Sequence, residues 1–171
     1  MSEANQREEF LAAYDQYAEA LYRHCYFRVF SPERAEELVQ ETFLRAWQYC
    51  CAGHRVENWR AFLYRVATNL VVDTARRKRE ESLEDLLARG AIAEPTVHDH
   101  KGMEQRTLFR EVVRGFRHLK EEEQKLLTLR YVDDLDPKEI ADILGTSANS
   151  VSVRLNRAVH KLKTSLTIPH A

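Results

Sequence analysis

Glycine and proline are scarce in this 171-residue chain, 5 and 4 in number. Leu, Ala, Glu and Arg fill its periodic stretches instead, which excludes a turn-rich β architecture and favours long helices. Cysteine is also rare: Cys25, Cys50 and Cys51 are too few, and odd in number, for a disulfide framework, so they are expected to stay reduced. No apolar run approaches the roughly 20 residues that span a bilayer. The opening residues Met1 to Gln6 lack the basic and apolar regions of a signal peptide. A cytoplasmic location without membrane insertion is the expectation. An excess of charge is missing too, the formal net charge being −1.

Phosphate binding depends on clustered cations rather than on their total, so the distribution carries more information. Residues 1–79 hold 12 basic and 11 acidic side chains, residues 80–107 hold 3 and 7, and residues 108–171 hold 11 and 9. Two stretches are locally basic: Arg76-Arg77-Lys78-Arg79, and the tail after Asp142, with Arg154, Arg157, Lys161 and Lys163 and no carboxylate side chain. Both are candidate phosphate contacts.

Helical periodicity runs through the first part. Phe10, Leu11, Tyr14, Tyr17, Leu21, Cys25 and Val29 recur at three- and four-residue steps, which predicts one long helix or two shorter ones from Glu8 to about Phe30. Ser31-Pro32 then supplies a cap and a first-turn proline for a second helix to about Cys50. Its core positions are Ala35, Leu38, Val39, Thr42, Phe43, Ala46 and Trp47, and Glu33, Glu36, Glu37, Gln40 and Glu41 form a polar outer surface. Cys50 to Arg55 breaks the period as a loop, and Asn58 caps a third helix from Trp59 to about Arg79. Trp59, Phe62, Leu63, Val66, Ala67, Leu70 and Val71 make the third stripe. Arg60, Tyr64, Arg65, Thr68, Asn69, Asp73 and Arg76 are left to other faces.

From Glu80 to about Gly102 periodicity weakens, charge turns negative, and Gly90, Pro95 and Gly102 punctuate the chain, with room for a short helix at Leu83 to Leu87. A flexible linker over 81–103 therefore separates two small helical domains, 1–80 and 104–171, in an all-α fold. Leu108, Val112, Val113, Phe116 and Leu119 define a fourth helix, and Leu126, Leu127, Leu129 and Tyr131 a fifth.

The C-terminal part holds the most specific local signal. Asp136-Pro137-Lys138-Glu139 joins an N-cap, a first-turn proline and a capping carboxylate; Gly145 ends that short helix; Ser147 caps another reaching about Leu166. Ile140, Ile143 and Leu144 can pack on Val151, Leu155, Ala158 and Leu162, with small Ala141 permitting close approach. This is a helix-turn-helix. Packing leaves Asn149, Ser150, Ser152, Val153, Asn156 and Arg157 near the exposed side of the second helix, where polar groups can read base edges. Arg154, Arg157 and Lys161 are placed to bind phosphate.

The stretch 35–47, Ala-Glu-Glu-Leu-Val-Gln-Glu-Thr-Phe-Leu-Arg-Ala-Trp, closely resembles conserved region two of extracytoplasmic-function (ECF) sigma factors of bacterial RNA polymerase. Trp59 to Leu70 with the basic run Arg76 to Arg79 is similar to that family's promoter-melting and minus-ten helix, and the terminal helix-turn-helix to its region four. The resemblance implies a factor that binds core RNA polymerase, directs it to promoter DNA and helps open the duplex, with no catalytic centre, cofactor or metal of its own. It implies an anti-sigma protein as a further partner. It also implies that Glu37, Leu38, Gln40, Glu41 and Phe43 belong to the polymerase-docking helix, with Leu38 and Phe43 chiefly supporting the core. The loop from Cys50 to Glu57, with Arg55, Asn58, Arg65 and Asn69, falls in the part that captures an extruded minus-ten base, and Arg76, Arg77, Lys78 and Arg79 lie near the melted backbone. Asn149, Ser150, Ser152, Val153, Arg154, Asn156, Arg157 and Lys161 fall in the minus-thirty-five reader. Many relatives have Lys or Arg followed by Ser where this chain has Ser152-Val153, so the promoter sequence does not carry over.

Two other classes compete. A zinc or redox protein would draw on Cys25, Cys50, Cys51, His24 and His54, but adjacent Cys50 and Cys51 are not a C-x-x-C pair and Cys25 lies on an apolar face. A dimeric helix-turn-helix repressor or activator would share the C-terminal signal. The N-terminal stretch 35–47 discriminates against it.

Overall fold

The computed structural model describes residues 3–81 and 111–167, with the side chains of 5–74 and 111–166. Every regular element among the described residues is a helix, and the chain divides into two compact units, Met1–Glu94 and Pro95–Ala171. The expected linker over 81–103, the short helix at 83–87 and Leu108 lie outside the described residues, Glu81 excepted.

The first unit is three helices: α1 (Glu3–Val29), α2 (Pro32–Cys51) and α3 (Trp59–Glu81), each packed on the other two. The N-terminal periodicity resolves as one continuous helix. Its end is set by Phe30, whose φ of 49° puts a bulky residue in the left-handed region while its N–H donates to the Tyr26 carbonyl at 2.7 Å. The chain reverses there, and the Ser31 Oγ accepts the Arg34 N–H to start α2.

The α2 stripe holds with two adjustments. Ala35, Leu38, Thr42, Phe43 and Ala46 are buried, but Trp47 is exposed at one edge. The helix also ends at Cys51, one residue past the expected limit, so buried Cys50 and exposed Cys51 close α2 rather than open the loop. Gly53, at φ 85°, completes the turn, and Asn58 Oδ1 accepts the Ala61 N–H at 3.0 Å to cap α3.

On α3 the sequence reading needs correction. Tyr64 and Thr68, expected on outer faces, are buried along with Leu63, Ala67, Leu70 and Val71. The third helix is covered by both α1 and α2, so its buried arc is wider than one apolar stripe.

The second unit holds α4 (described over residues 111–117), α5 (Glu121–Leu127) running into a π-turn (Thr128–Val132), α6 (Pro137–Leu144) and α7 (Ala148–Thr167). The side-chain amide of Gln124 donates to the carbonyls of Phe116 and Leu119, both at 3.1 Å, and so closes the end of α4. The sequence predicts a plain fifth helix. Instead the π-turn widens the last turn of α5, and Tyr131, assigned to an apolar face, is 67% exposed while Leu129 and Leu135 are sealed. Arg130 donates to the Leu135 carbonyl at 3.0 Å, which holds the approach to α6.

Candidate nucleic-acid interface

The α6–α7 pair forms as its residues dictate. Asp136 accepts the N–H groups of Lys138 and Glu139 at 2.8 and 2.9 Å, and the Glu139 carboxylate accepts the Asp136 N–H at 2.9 Å. This reciprocal cap satisfies donors that the first turn leaves open. Its hydrogen bonds hold the Asp136 carboxyl below its ordinary value of 3.8, the Glu139 N–H contributing most. Gly145 sits at φ 65°, ψ 41°, which lets the Thr146 N–H reach the Ala141 carbonyl. Ser147 Oγ then accepts the Ser150 N–H at 3.2 Å and α7 begins. Ile140, Ala141 and Ile143 are buried against a stripe of Val151, Leu155 and Ala158.

With that stripe facing inward, Asn149, Val153, Asn156 and Arg157 are exposed. Val153 is four residues beyond Asn149, and Asn156 and Arg157 are three and four beyond Val153, so they share a face. Ser150 and Ser152 are half-buried, and the Ser152 hydroxyl donates to the Ala148 carbonyl of its own helix. Val153, 42% exposed, offers an apolar contact where a polar reader would otherwise stand.

The remaining two cations named as phosphate contacts are held by carboxylates of a neighbouring helix. Arg154 is 2.8 Å from Glu122, and Lys161 pairs with Glu123. Both carboxylates belong to α5, and the side chains meet across a groove of about 570 Å³ whose lining also includes Asn156 and Arg157 of the exposed face. Burial raises the Glu122 carboxyl, but its bonds to Lys125 and Arg154 outweigh it and the net shift is downward. Glu123 behaves alike: burial raises it, and Lys161, the Lys120 N–H and their charges take it below 4.5. Nothing local in the sequence announces these pairs, whose members stand 32 and 38 residues apart.

In the first unit, Glu37 and Gln40 are exposed on α2 and Glu41 pairs with Arg45 at 2.7 Å. Leu38 and Phe43 are buried, Phe43 against Phe10 and Tyr14, so the accessible part of this candidate docking set is polar. Arg55 and Asn58 are exposed around the α2–α3 loop, and Arg65 and Asn69 are exposed one helical turn apart on α3. Arg76, Arg77, Lys78 and Arg79 lie on the last turns of α3, their side chains outside the described residues. One feature absent from the sequence reading joins this region: His54 stacks on Tyr49 with ring centres 4.5 Å apart, and Tyr49 lies 4.9 Å from Phe62. Tyr49 and Phe62 are the signal that was there to be read, two aromatics flanking the loop.

Cys25 is sealed in the core, and among the described residues no group of three or more His, Cys, Asp or Glu is placed to hold a metal ion. No helix among them is long and apolar enough to cross a membrane.

Comparison with known proteins agrees with this layout. The family model for Sigma-70 region 2 matches residues 13–81, and that for Sigma-70, region 4 matches residues 109–162. Over 168 residues the chain is 25% identical to the ECF RNA polymerase sigma factor SigW of Bacillus subtilis, covering 94% of this chain and 90% of that one. It is 32% identical to the ECF RNA polymerase sigma factor SigG of Mycobacterium tuberculosis, over 92% of this chain and 49% of SigG, so it spans about half that relative. Its fold is similar to that of the sigma factor RpoE from Bartonella quintana, solved in complex with the anti-sigma factor NepR. The TM-score is 0.70 at 19% identity, with 96% of this chain and 98% of that one covered. The molecule is a two-domain, all-helical transcription initiation factor of the sigma type. Within that class the chain belongs to the ECF sigma factors, which direct initiation to promoters.

Proposed function

We propose that this sigma factor binds core RNA polymerase through the polar face of α2, with Glu37, Gln40 and Glu41 in contact and Leu38 and Phe43 fixing the helix from behind. The α2–α3 loop and α3, with Arg55, Asn58, Arg65, Asn69 and the run Arg76 to Arg79, engage the minus-ten region as it opens. The α7 face of Asn149, Val153, Asn156 and Arg157 reads the minus-thirty-five duplex, with Ser150 and Ser152 beside it. Domain limits of 1–80 and 104–171, joined by an acidic tether, go with this division of labour. The factor works in the cytoplasm without a catalytic centre of its own, and an anti-sigma protein restrains it.

The observation that carries the reading is on α7. Val151, Leu155 and Ala158 fasten the helix to α6 while its other side stays open, the arrangement in which a helix can enter a major groove. Transcription with purified core enzyme across fragmented genomic DNA tests it. The chain is expected to bind core enzyme lacking other specificity subunits and to yield transcripts from a discrete set of start sites. Failure to associate with core enzyme would end the proposal.

A further inference from the structure

α7 carries four cations after Asp142 and no carboxylate side chain, yet two of the four are held by the neighbouring helix. Arg154 and Lys161 are seven residues apart, two turns along one side of α7. That side meets the first turn of α5, where Glu121, Glu122 and Glu123 follow in sequence.

Both contacting carboxylates are tied at each oxygen. Glu122 takes Lys125 on Oε1 at 2.7 Å and Arg154 on Oε2 at 2.8 Å. Glu123 accepts the Lys120 N–H on Oε2 at 3.0 Å and Lys161 on Oε1. One oxygen of each thus fastens the carboxylate to α5 and the other holds a cation of α7. Arg157, three residues beyond Arg154, is exposed and enters no ion pair among the described residues. Of Arg154, Arg157 and Lys161, two are therefore held by α5 and one is open.

Solvent-exposed pairs of this kind stabilise a fold little. What they change is the field that a duplex meets. Affinity for arbitrary DNA is almost wholly a matter of cations reaching phosphates, and it carries no sequence information. A long, freed side chain can find a phosphate in any register, whereas base contacts are made in one.

We infer that Glu122 and Glu123 act as positioning residues that keep Arg154 and Lys161 off the DNA backbone and so limit sequence-independent binding by α7. This rests on the reading of α7 as a duplex-binding helix. The two carboxylates occupy, inside the protein, the places that two phosphates would otherwise take.

The test measures binding of the full chain to a labelled random-sequence duplex of about 20 base pairs across a salt series, a length that gives the domain room to dock. Each added phosphate contact steepens the plot of log K against log salt by about 0.9. Glu122→Gln with Glu123→Gln, which keeps the oxygen that caps Lys120, is expected to steepen the slope by about 1.8 and to tighten binding at low salt. Arg154→Gln in the unaltered chain is expected to leave the slope where it was, and in the double variant to remove about 0.9.

A slope unmoved in the double variant, with helical circular dichroism intact, overturns the inference. So does a loss of about 0.9 on Arg154→Gln alone, the result of a direct phosphate contact. Should the double variant unfold, Arg154→Gln and Lys161→Gln decide the matter by the same criterion. A chain that directs transcription normally but shows these slopes refutes only the role of the two glutamates. One that binds no duplex at any salt refutes the reading of α7 itself, and the inference with it.

Discussion

The hydroxyl of Thr68 on α3 lies 3.5 Å from Nε2 of His24 on α1, and both residues are closed to solvent. The ring of Tyr64 meets the same imidazole edge-on, with centres 5.3 Å apart. A polar cluster therefore sits inside the contact between the first and third helices, where an unmatched polar atom is costly. Thr68→Val keeps the shape and removes the hydroxyl. It is expected to lower the unfolding free energy of the first unit by about 1 kcal/mol in urea titration. Thr74→Val is the control, because the Thr74 hydroxyl bonds to the Leu70 carbonyl of its own helix, and little change is expected there.

Gly115 fixes how closely α4 approaches α7. A Cβ at this position would stand 2.8 Å from Ser165 Oγ, 3.1 Å from Leu166 Cδ2 and 3.3 Å from Leu162 Cδ1. Alanine is the better helix former, but overlap at a packed site outweighs propensity. Gly115→Ala is expected to destabilise the second unit by about 1 kcal/mol. Ser165→Ala, which removes the nearest atom, should restore part of that loss, so thermal unfolding of the two single variants and the double variant should be non-additive.

The Asp136 cap gives a pH dependence with a definite sign. Its carboxyl is held below 3.8 in the folded chain, first by the Glu139 N–H, so the folded state binds a proton less readily than the unfolded one. The contribution is complete above the ordinary value and is lost as pH falls through the depressed one. Asp136→Asn retains a capping oxygen without the charge. Melting temperatures of wild type and Asp136→Asn are expected to differ at neutral pH and to converge in strong acid. A gap that widens on acidification would contradict the assignment.

What the sequence disclosed and what it hid divide by distance along the chain. Ser31, Asn58, Asp136, Gly145 and Ser147 act on backbone groups within a few residues, so the side chain and its target are read together and the helix ends follow. Burial of Tyr64 and Thr68 depends instead on α3 being covered from two sides, which no single periodic stripe records. Leu11, Tyr14 and Trp47 err the other way: their spacing fits a core face, but they stand at the rim of the three-helix packing and remain exposed. The π-turn over Thr128–Val132 leaves apolar spacing nearly unchanged, so the spacing alone predicts plain helix there. At the candidate interface the exposed α7 face followed from helix geometry. The capture of Arg154 and Lys161 did not, since Glu122 and Glu123 lie on another helix whose approach only folding determines.

Burial separates two roles within the candidate polymerase-docking helix. Gln40 is exposed, whereas Phe43, three residues on, is buried with its ring 4.7 Å from Tyr14 and 6.1 Å from Phe10. Removing an exposed side chain from an interface costs affinity without touching the fold, and removing a buried aromatic does the reverse. Gln40→Ala is therefore expected to weaken association with core polymerase roughly tenfold while leaving the melting temperature unchanged, a loss of about 1.4 kcal/mol. Phe43→Ala is expected to cost about 3 kcal/mol of stability. Measured well below its melting point, its affinity for core enzyme should stay within a few-fold of wild type, because Glu37, Gln40 and Glu41 remain. A folded Phe43→Ala chain that loses core binding as severely as Gln40→Ala would move Phe43 from the support of the surface to the surface itself.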